Sequence, residues 1–236
     1  MSRLFPGQSR FWFLRKGIKP LNKRLLVFYA FIAGTIIGLI FFVHYYPTSF
    51  FDIHVTHEIQ ELNTGHFTSV MEFISIFGNP VVVLLSVIFA SLFFFVTHNR
   101  REFCFIFSTL IPDLLTNLIK IMVNRPRPTW QNAKLLLKFN QSSFPSGHVV
   151  HYVVFFGFLL AVMFVNKNIP SLWRISIGIF SAFLISTISI SRIYLGAHWA
   201  TDVIGGYLFG FAYLGIILKF YLKLTFPRKN FYHLKV

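Results

Sequence analysis

Residues 25–46 run for 22 positions without a single Asp, Glu, Lys or Arg. About 20 apolar residues in helical form cross a hydrocarbon core, so this run reads as a membrane span. Apolar segments recur at 80–97, 103–123, 147–165, 175–190 and 203–221. Six such segments point to an all-α polytopic membrane protein, because inside lipid a helix satisfies its own backbone hydrogen bonds. The first run exceeds the roughly 7–15 apolar residues of a cleavable signal peptide and reads as a retained anchor.

Charge adds orientation. The chain carries 22 Lys and Arg against 7 Asp and Glu, a net +15. A soluble nucleic-acid binder would place such an excess on a solvated face, and the apolar segments leave no room for one. Cytoplasmic flanks of membrane proteins collect Lys and Arg. With the N-terminus inside, the inner side receives Arg3, Arg10, Arg15, Lys16, Lys19, Lys23, Arg24, Arg100, Arg101, Lys167, Arg174, Lys219, Lys223, Arg228, Lys229 and Lys235. The outer side receives only Lys120, Arg125, Arg127, Lys134, Lys138 and Arg192, with Asp52, Glu58, Glu61 and Glu72 in the first outer loop. Both termini are thus expected in the cytoplasm. The domain reading is a basic segment 1–24, a six-helix membrane domain 25–221 and a basic tail 222–236. Residues 11–16 read either as an interfacial amphipathic stretch or as part of a basic tail. Residues 52–62 read as a short helix over the bundle. Cys104 is the only cysteine, which excludes an intrachain disulfide and a zinc–cysteine cluster. Gly34 and Gly38 form a GxxxG, the one pointer to a homo-oligomer.

Three polar stretches fall at span ends on the outer face. They are Lys120 to Pro128, Pro145 to His148, and Ser191 to Asp202. Lys120, Arg127 and Arg192 place three cations at the membrane boundary, where each is costly unless it meets an anion. Ser146 and Gly147 open a helix whose free N–H groups and dipole favour an anion, and glycine permits close approach. Phosphate suits this cradle. His198 and Asp202 stand four apart, a spacing that on a helix puts them on one face, so the carboxylate can fix the imidazole tautomer and leave Nε2 as a nucleophile. His148, on another span, can protonate the departing oxygen. Hard divalent ions at phosphoryl sites take several carboxylates, and Asp202 is the only one in these stretches, beside three cations; no metal and no cofactor are expected.

The spacings K-x6-RP, PSGH and SR-x5-H-x3-D, carried by Lys120/Arg127/Pro128, Pro145–His148 and Ser191/Arg192/His198/Asp202, resemble the three-part signature of the type 2 phosphatidic acid phosphatase superfamily. That family shares its active site with the vanadium haloperoxidases, which are soluble. The resemblance implies a six-helix membrane fold with an extracytoplasmic site. It further implies that His198 forms a phosphohistidine, Asp202 orients it, and His148 acts as acid and then activates water. Lys120, Arg127, Arg192, Ser146 and the Gly147 amide would hold phosphate. The implied substrate is a lipid mono- or diphosphate ester, such as phosphatidic acid, phosphatidylglycerol phosphate or a polyprenyl diphosphate. A phosphotransferase would use the same residues, and a six-span transporter or lipid-binding protein would need the cations but not the oriented histidine. A composition rich in Phe, Ile, Asn and Lys fits an AT-rich bacterium and hence its inner, cytoplasmic membrane.

Several residues stay outside this reading. Asp113 shares a face with Asn117 and Lys120 and reads either as a residue tuning Lys120 or as an interhelix hydrogen-bond partner. His151 reads as a polar wall residue. The outer loop 124–144, with Lys134 and Lys138 flanking three leucines, reads as an interfacial anchor or a substrate-admission segment.

Overall fold

The computed structural model describes residues 23–62, 64–129, 131–136 and 142–226. The 11–16 segment, the basic residues before 23 and after 226, and Lys138 lie outside the described residues. Within them the chain is helical without a strand. The helices are α1 (Lys23–Tyr45), α2 (Phe50–Gln60), α3 (Gly65–Ile76), α4 (Pro80–Val96), α5 (Arg100–Ser108), α6 (Ile111–Val123), α7 (Gly147–His151), α8 (Gly157–Val165), α9 (Ser171–Tyr194) and α10 (Ala200–Thr225). A π-helical turn, Tyr152–Phe156, joins α7 to α8.

Five stretches of the described residues are long and apolar enough to cross a membrane, and a sixth arises if α3 and α4 form one span bent by 54°. That bent pair corrects the sequence expectation, which began the second span at 80 and left Glu72 in a loop. The break has local causes. Thr64 caps α3 through the Phe67 N–H, whereas Asn79 caps α4 through the Val81 N–H and Pro80 sits at its first position, where a missing N–H costs nothing. Gly78 lies in the turn between them. The third span also starts earlier than expected, at Arg100, and is interrupted at Thr109–Leu110 ahead of Pro112.

The stretch Gly147–Val165 is the bundle's axis: 67% of its apolar window is buried inside the protein, against 6% for α1. Its surroundings explain this. A Cβ on Gly206 would stand 2.9 Å from the Ser146 carbonyl and from Val149, and one on Gly210 would stand 2.8 Å from Val153. Two glycines one turn apart on α10 therefore let its backbone press against α7 and the π turn, as small residues do between membrane helices. By contrast, a Cβ on Gly34 or Gly38 meets nothing within 4 Å. The glycine spacing that packs this bundle is on α10, not on α1.

Helix α2 does form, against the end of the bundle where α9 closes and α10 opens. Ser49 caps it by accepting from the Asp52 N–H, and Gln60 at its far end donates to the Lys134 and Tyr194 carbonyls while accepting from the Lys134 N–H. The start of the outer loop is thereby tied to α2 and to the end of α9.

Candidate active site

Three chain segments converge at the end of the frame covered by α2. Helix α6 stops at Asn124, which adopts a left-handed conformation (φ 45°) with its N–H on the Lys120 carbonyl. The chain then turns through Arg125 and Arg127. Lys120 stays on the last turn of α6, and a Cβ on Gly147 would lie 3.8 Å from its Nζ and 3.7 Å from Thr116. The missing side chain at Gly147 thus brings the ammonium to the N-terminus of the fourth span. Ser146, the N-cap of α7, is wholly buried, and its Oγ finds no partner among the described residues. A buried hydroxyl left open at a helix N-terminus beside an ammonium is an anion-binding arrangement.

The third segment carries Arg192 and His198. Arg192 closes α9 with 1% exposure, and its Nη1 donates to the Ser75 hydroxyl on α3. Its carbonyl accepts from the N–H groups of both Ala197 and His198, folding the 195–199 turn back on the helix end. Gly196, at φ 67°, permits that turn, in which a side chain would run into the Lys134 carbonyl. Arg127 reaches the same turn from the other side, donating to the Ala197 carbonyl at 2.6 Å. His198 is 1% exposed in this setting. Burial first, then the charges of Arg127, Arg192 and Lys120, hold its imidazole well below the ordinary 6.5, against a hydrogen bond to the Ser143 backbone that acts the other way, so the ring is neutral at neutral pH. Burial also lowers Arg127, to about 10, which leaves it a cation at neutral pH.

The sequence reading placed His198 and Asp202 on one helix face, and the structure corrects this. His198 lies in the turn ahead of α10, and Asp202 lies in the first turn of α10. Its Oδ2 accepts from the Trp199 N–H at 2.9 Å and stands 3.5 Å from His198 Nδ1. The spacing of four works because the carboxylate caps its own helix and faces back over the preceding turn. The Asp202 carbonyl also accepts from the Ser146 N–H, stitching the second segment to the third. His148 stands opposite, and a Cβ on Gly78 would overlap its ring. The bend between α3 and α4 therefore forms one wall of the site.

All eight residues expected from the sequence sit on these three converging segments. Sequence reasoning missed Arg125, Asp52, Ser75 and Gly78. Arg125 is fully buried and donates to Asp202 Oδ1 at 2.5 Å and to Asp52 Oδ2 at 2.7 Å. A signal for Asp52 was present: Ser49-x-x-Asp52 is a capping pattern, and Ser49 Oγ donates to Asp52 at 2.8 Å. Asp113 pairs with His151, Oδ2 to Nδ1 at 3.3 Å, which favours the interhelix partnership over a role at Lys120. Among the described residues, no group of three or more His, Cys, Asp or Glu is placed to hold a metal ion.

The PAP2 superfamily model matches residues 101–226, more than half of the chain and all three segments. The chain belongs to the PAP2 superfamily. It is 30% identical over 147 residues to the phosphatidylglycerophosphatase B of Bacillus subtilis, a match covering 61% of this chain and 65% of that protein. It is 28% identical over 163 residues to the undecaprenyl-diphosphatase of Sulfolobus acidocaldarius, covering 68% of this chain and 73% of that protein. The first match thus spans just under two thirds of its relative's length. Its fold is similar to the crystal structure of a transmembrane PAP2-type phosphatidylglycerolphosphate phosphatase from Bacillus subtilis, with a TM-score of 0.69 at 22% identity over 86% of this chain and 98% of that one. This PAP2 member is an all-helical integral membrane protein.

Proposed function

We propose that this protein is a membrane lipid phosphatase that removes a terminal phosphate from a lipid mono- or diphosphate ester through a phosphohistidine on His198. The observation that carries the reading is a buried imidazole 3.5 Å from the Asp202 carboxylate and within the field of three cations, beside a buried serine hydroxyl with no partner among the described residues. A binding protein needs the cations alone; a nucleophile is what the buried lone pair adds. The relatives named for phosphatidylglycerophosphate and undecaprenyl diphosphate support a lipid phosphate as substrate, and they differ in mono- against diphosphate.

In the proposed course Lys120, Arg127, Arg192, Ser146 Oγ and the Gly147 N–H hold the phosphoryl oxygens. His198 Nε2 attacks phosphorus, the bond to the lipid oxygen breaks, and His148 gives its proton to that oxygen, releasing the lipid alcohol or the lipid monophosphate. The N–H at His198 Nδ1 faces Asp202, which stabilises the positive charge that builds on the ring. Water then attacks phosphorus, His148 takes its proton, and the N–P bond breaks to free phosphate. The cations and the helix N-terminus stabilise the charge of the five-coordinate transition state. No step draws on a metal. In this reading the site faces the extracytoplasmic side of a bacterial cytoplasmic membrane, which the excess of cations on the opposite flanks supports.

Phosphate release by the purified protein, measured across a lipid panel with and without EDTA, tests this. Turnover on at least one lipid phosphate, unchanged by EDTA and abolished by His198→Ala, is expected. Full turnover by His198→Ala, or activity that requires an added metal, would overturn the reading.

A further inference from the structure

Asp52, Arg125 and Thr201 lie outside the phosphate cradle, yet they form a closed buried polar cluster against its nucleophile. The side chains of Asp52, Arg125 and Asp202 have no solvent exposure. Burying three ions is costly unless each is paired and its remaining hydrogen bonds are met. Here they are met almost completely. Arg125 donates from Nε to the Pro47 carbonyl at 2.9 Å, from Nη1 to Thr201 Oγ1 and Asp202 Oδ1, and from Nη2 to Asp52 Oδ2. Asp52 Oδ1 accepts from the Thr201 N–H and hydroxyl, both at 2.9 Å, and Oδ2 accepts from Ser49 Oγ.

The cluster is asymmetric in two informative ways. Its charges are one guanidinium and two carboxylates, so it carries a net negative charge among cations. Its one open contact is Asp202 Oδ2, 3.5 Å from His198 Nδ1, an atom with no hydrogen-bond partner of its own in the described structure. Arg125 fixes the position of Asp202, but a guanidinium paired with Asp202 alone would also cancel the charge that the imidazole must feel when phosphorus is attacked. Asp52 sits on the other arm of the same guanidinium and offsets it.

We propose that Asp52, acting through Arg125 and Thr201, is a positioning residue of the reaction: it leaves Asp202 with an uncompensated negative charge facing His198. Helix α2 is thereby part of the nucleophile's support, and its N-terminus carries the fourth chain segment of the site. This rests on the reading of His198 as nucleophile.

The test is Asp52→Asn, close in shape and neutral, measured as kcat and KM and as single-turnover rates in both the wild-type and the Asp202→Asn backgrounds, with His198→Ala as control. Asp52→Asn is expected to lower kcat by about tenfold or more, the scale of one hydrogen bond to a charged group, and to leave KM within about threefold. In the Asp202→Asn background the same change is expected to have little further effect, because both act through one path. A wild-type kcat for Asp52→Asn with an inactive His198→Ala overturns this inference alone, as does a loss of equal size in both backgrounds, which is how a merely structural role reads. An active His198→Ala overturns the underlying reading and this inference with it. Thr201→Val keeps both charges and deletes the hydroxyl between them, so it carries the same test if Asp52→Asn does not fold. A kcat loss of roughly threefold or more, absent with Asp202→Asn, supports the role, and wild-type kcat overturns it.

Discussion

At the scale of single residues, the site works by contrast between groups that keep their charge and one that gives it up. Arg127 remains a cation although burial lowers it to about 10, whereas His198 is buried as a neutral ring, well below 6.5. A nucleophilic imidazole is active when deprotonated, so activity is lost as pH falls through its depressed value and is present above it. A cation that binds phosphate is needed protonated, so activity is lost as pH rises through its value. The acid limb of kcat/KM for the free enzyme, corrected for ionisation of the substrate, is expected below 6.5, and the basic limb is set by whichever of His148 and the cradle cations gives up its proton first. An acid limb centred at or above 6.5 would contradict the burial of a neutral His198. The convergence of the eight expected residues was legible from type and spacing because phosphate chemistry calls for cations, a helix start and an oriented imidazole together. Asp52 and Arg125 were not, because a residue that acts through another residue leaves no spacing of its own in the chain.

Secondary structure explains how those residues meet. The bend of 54° between α3 and α4 puts Ser75 on Arg192 and Gly78 against the ring of His148. The same bend was invisible to an apolar-run reading, since Glu72 and the serines of α3 lower its hydropathy below that of α4. Gly78→Ala is expected to displace His148, the proton donor of the proposed course, while sparing His198 and the cradle. The loss of kcat on a lipid phosphate, whose alkoxide leaves poorly, should be on the order of 10²-fold, the scale of general-acid catalysis. An aryl phosphate, whose phenolate needs no proton to depart, should lose far less. Parallel kinetics on the two esters decide this, and equal losses would place Gly78's effect elsewhere. The turn holding His198 shows the same limit of reading by periodicity. A spacing of four reads as helical, but Gly196 and the cap made by Asp202 give it a turn followed by a helix start.

For the whole molecule, the six-span layout was legible because lipid imposes length rules that operate on long windows, and the charge rule that operates on the same windows is what puts the motifs on the outer face in the proposed orientation. Those rules say nothing about which span is central. That depended on Gly206 and Gly210, whose contact with the fourth span appears only when the helices are assembled. In a Cys104→Ser background, Gln131→Cys is expected to react with a membrane-impermeant maleimide in intact cells, and Arg100→Cys only after permeabilisation. The opposite pattern would invert the orientation and put the cradle in the cytoplasm. The most direct measurement of the chemistry is acid-quench-free, alkaline trapping of the enzyme during turnover of a lipid carrying a radiolabelled terminal phosphate, followed by mapping of the label. An alkali-stable, acid-labile phosphoryl group on His198, absent from His198→Ala, is the result expected; full turnover with the label on no histidine, or on a residue other than His198, would contradict it.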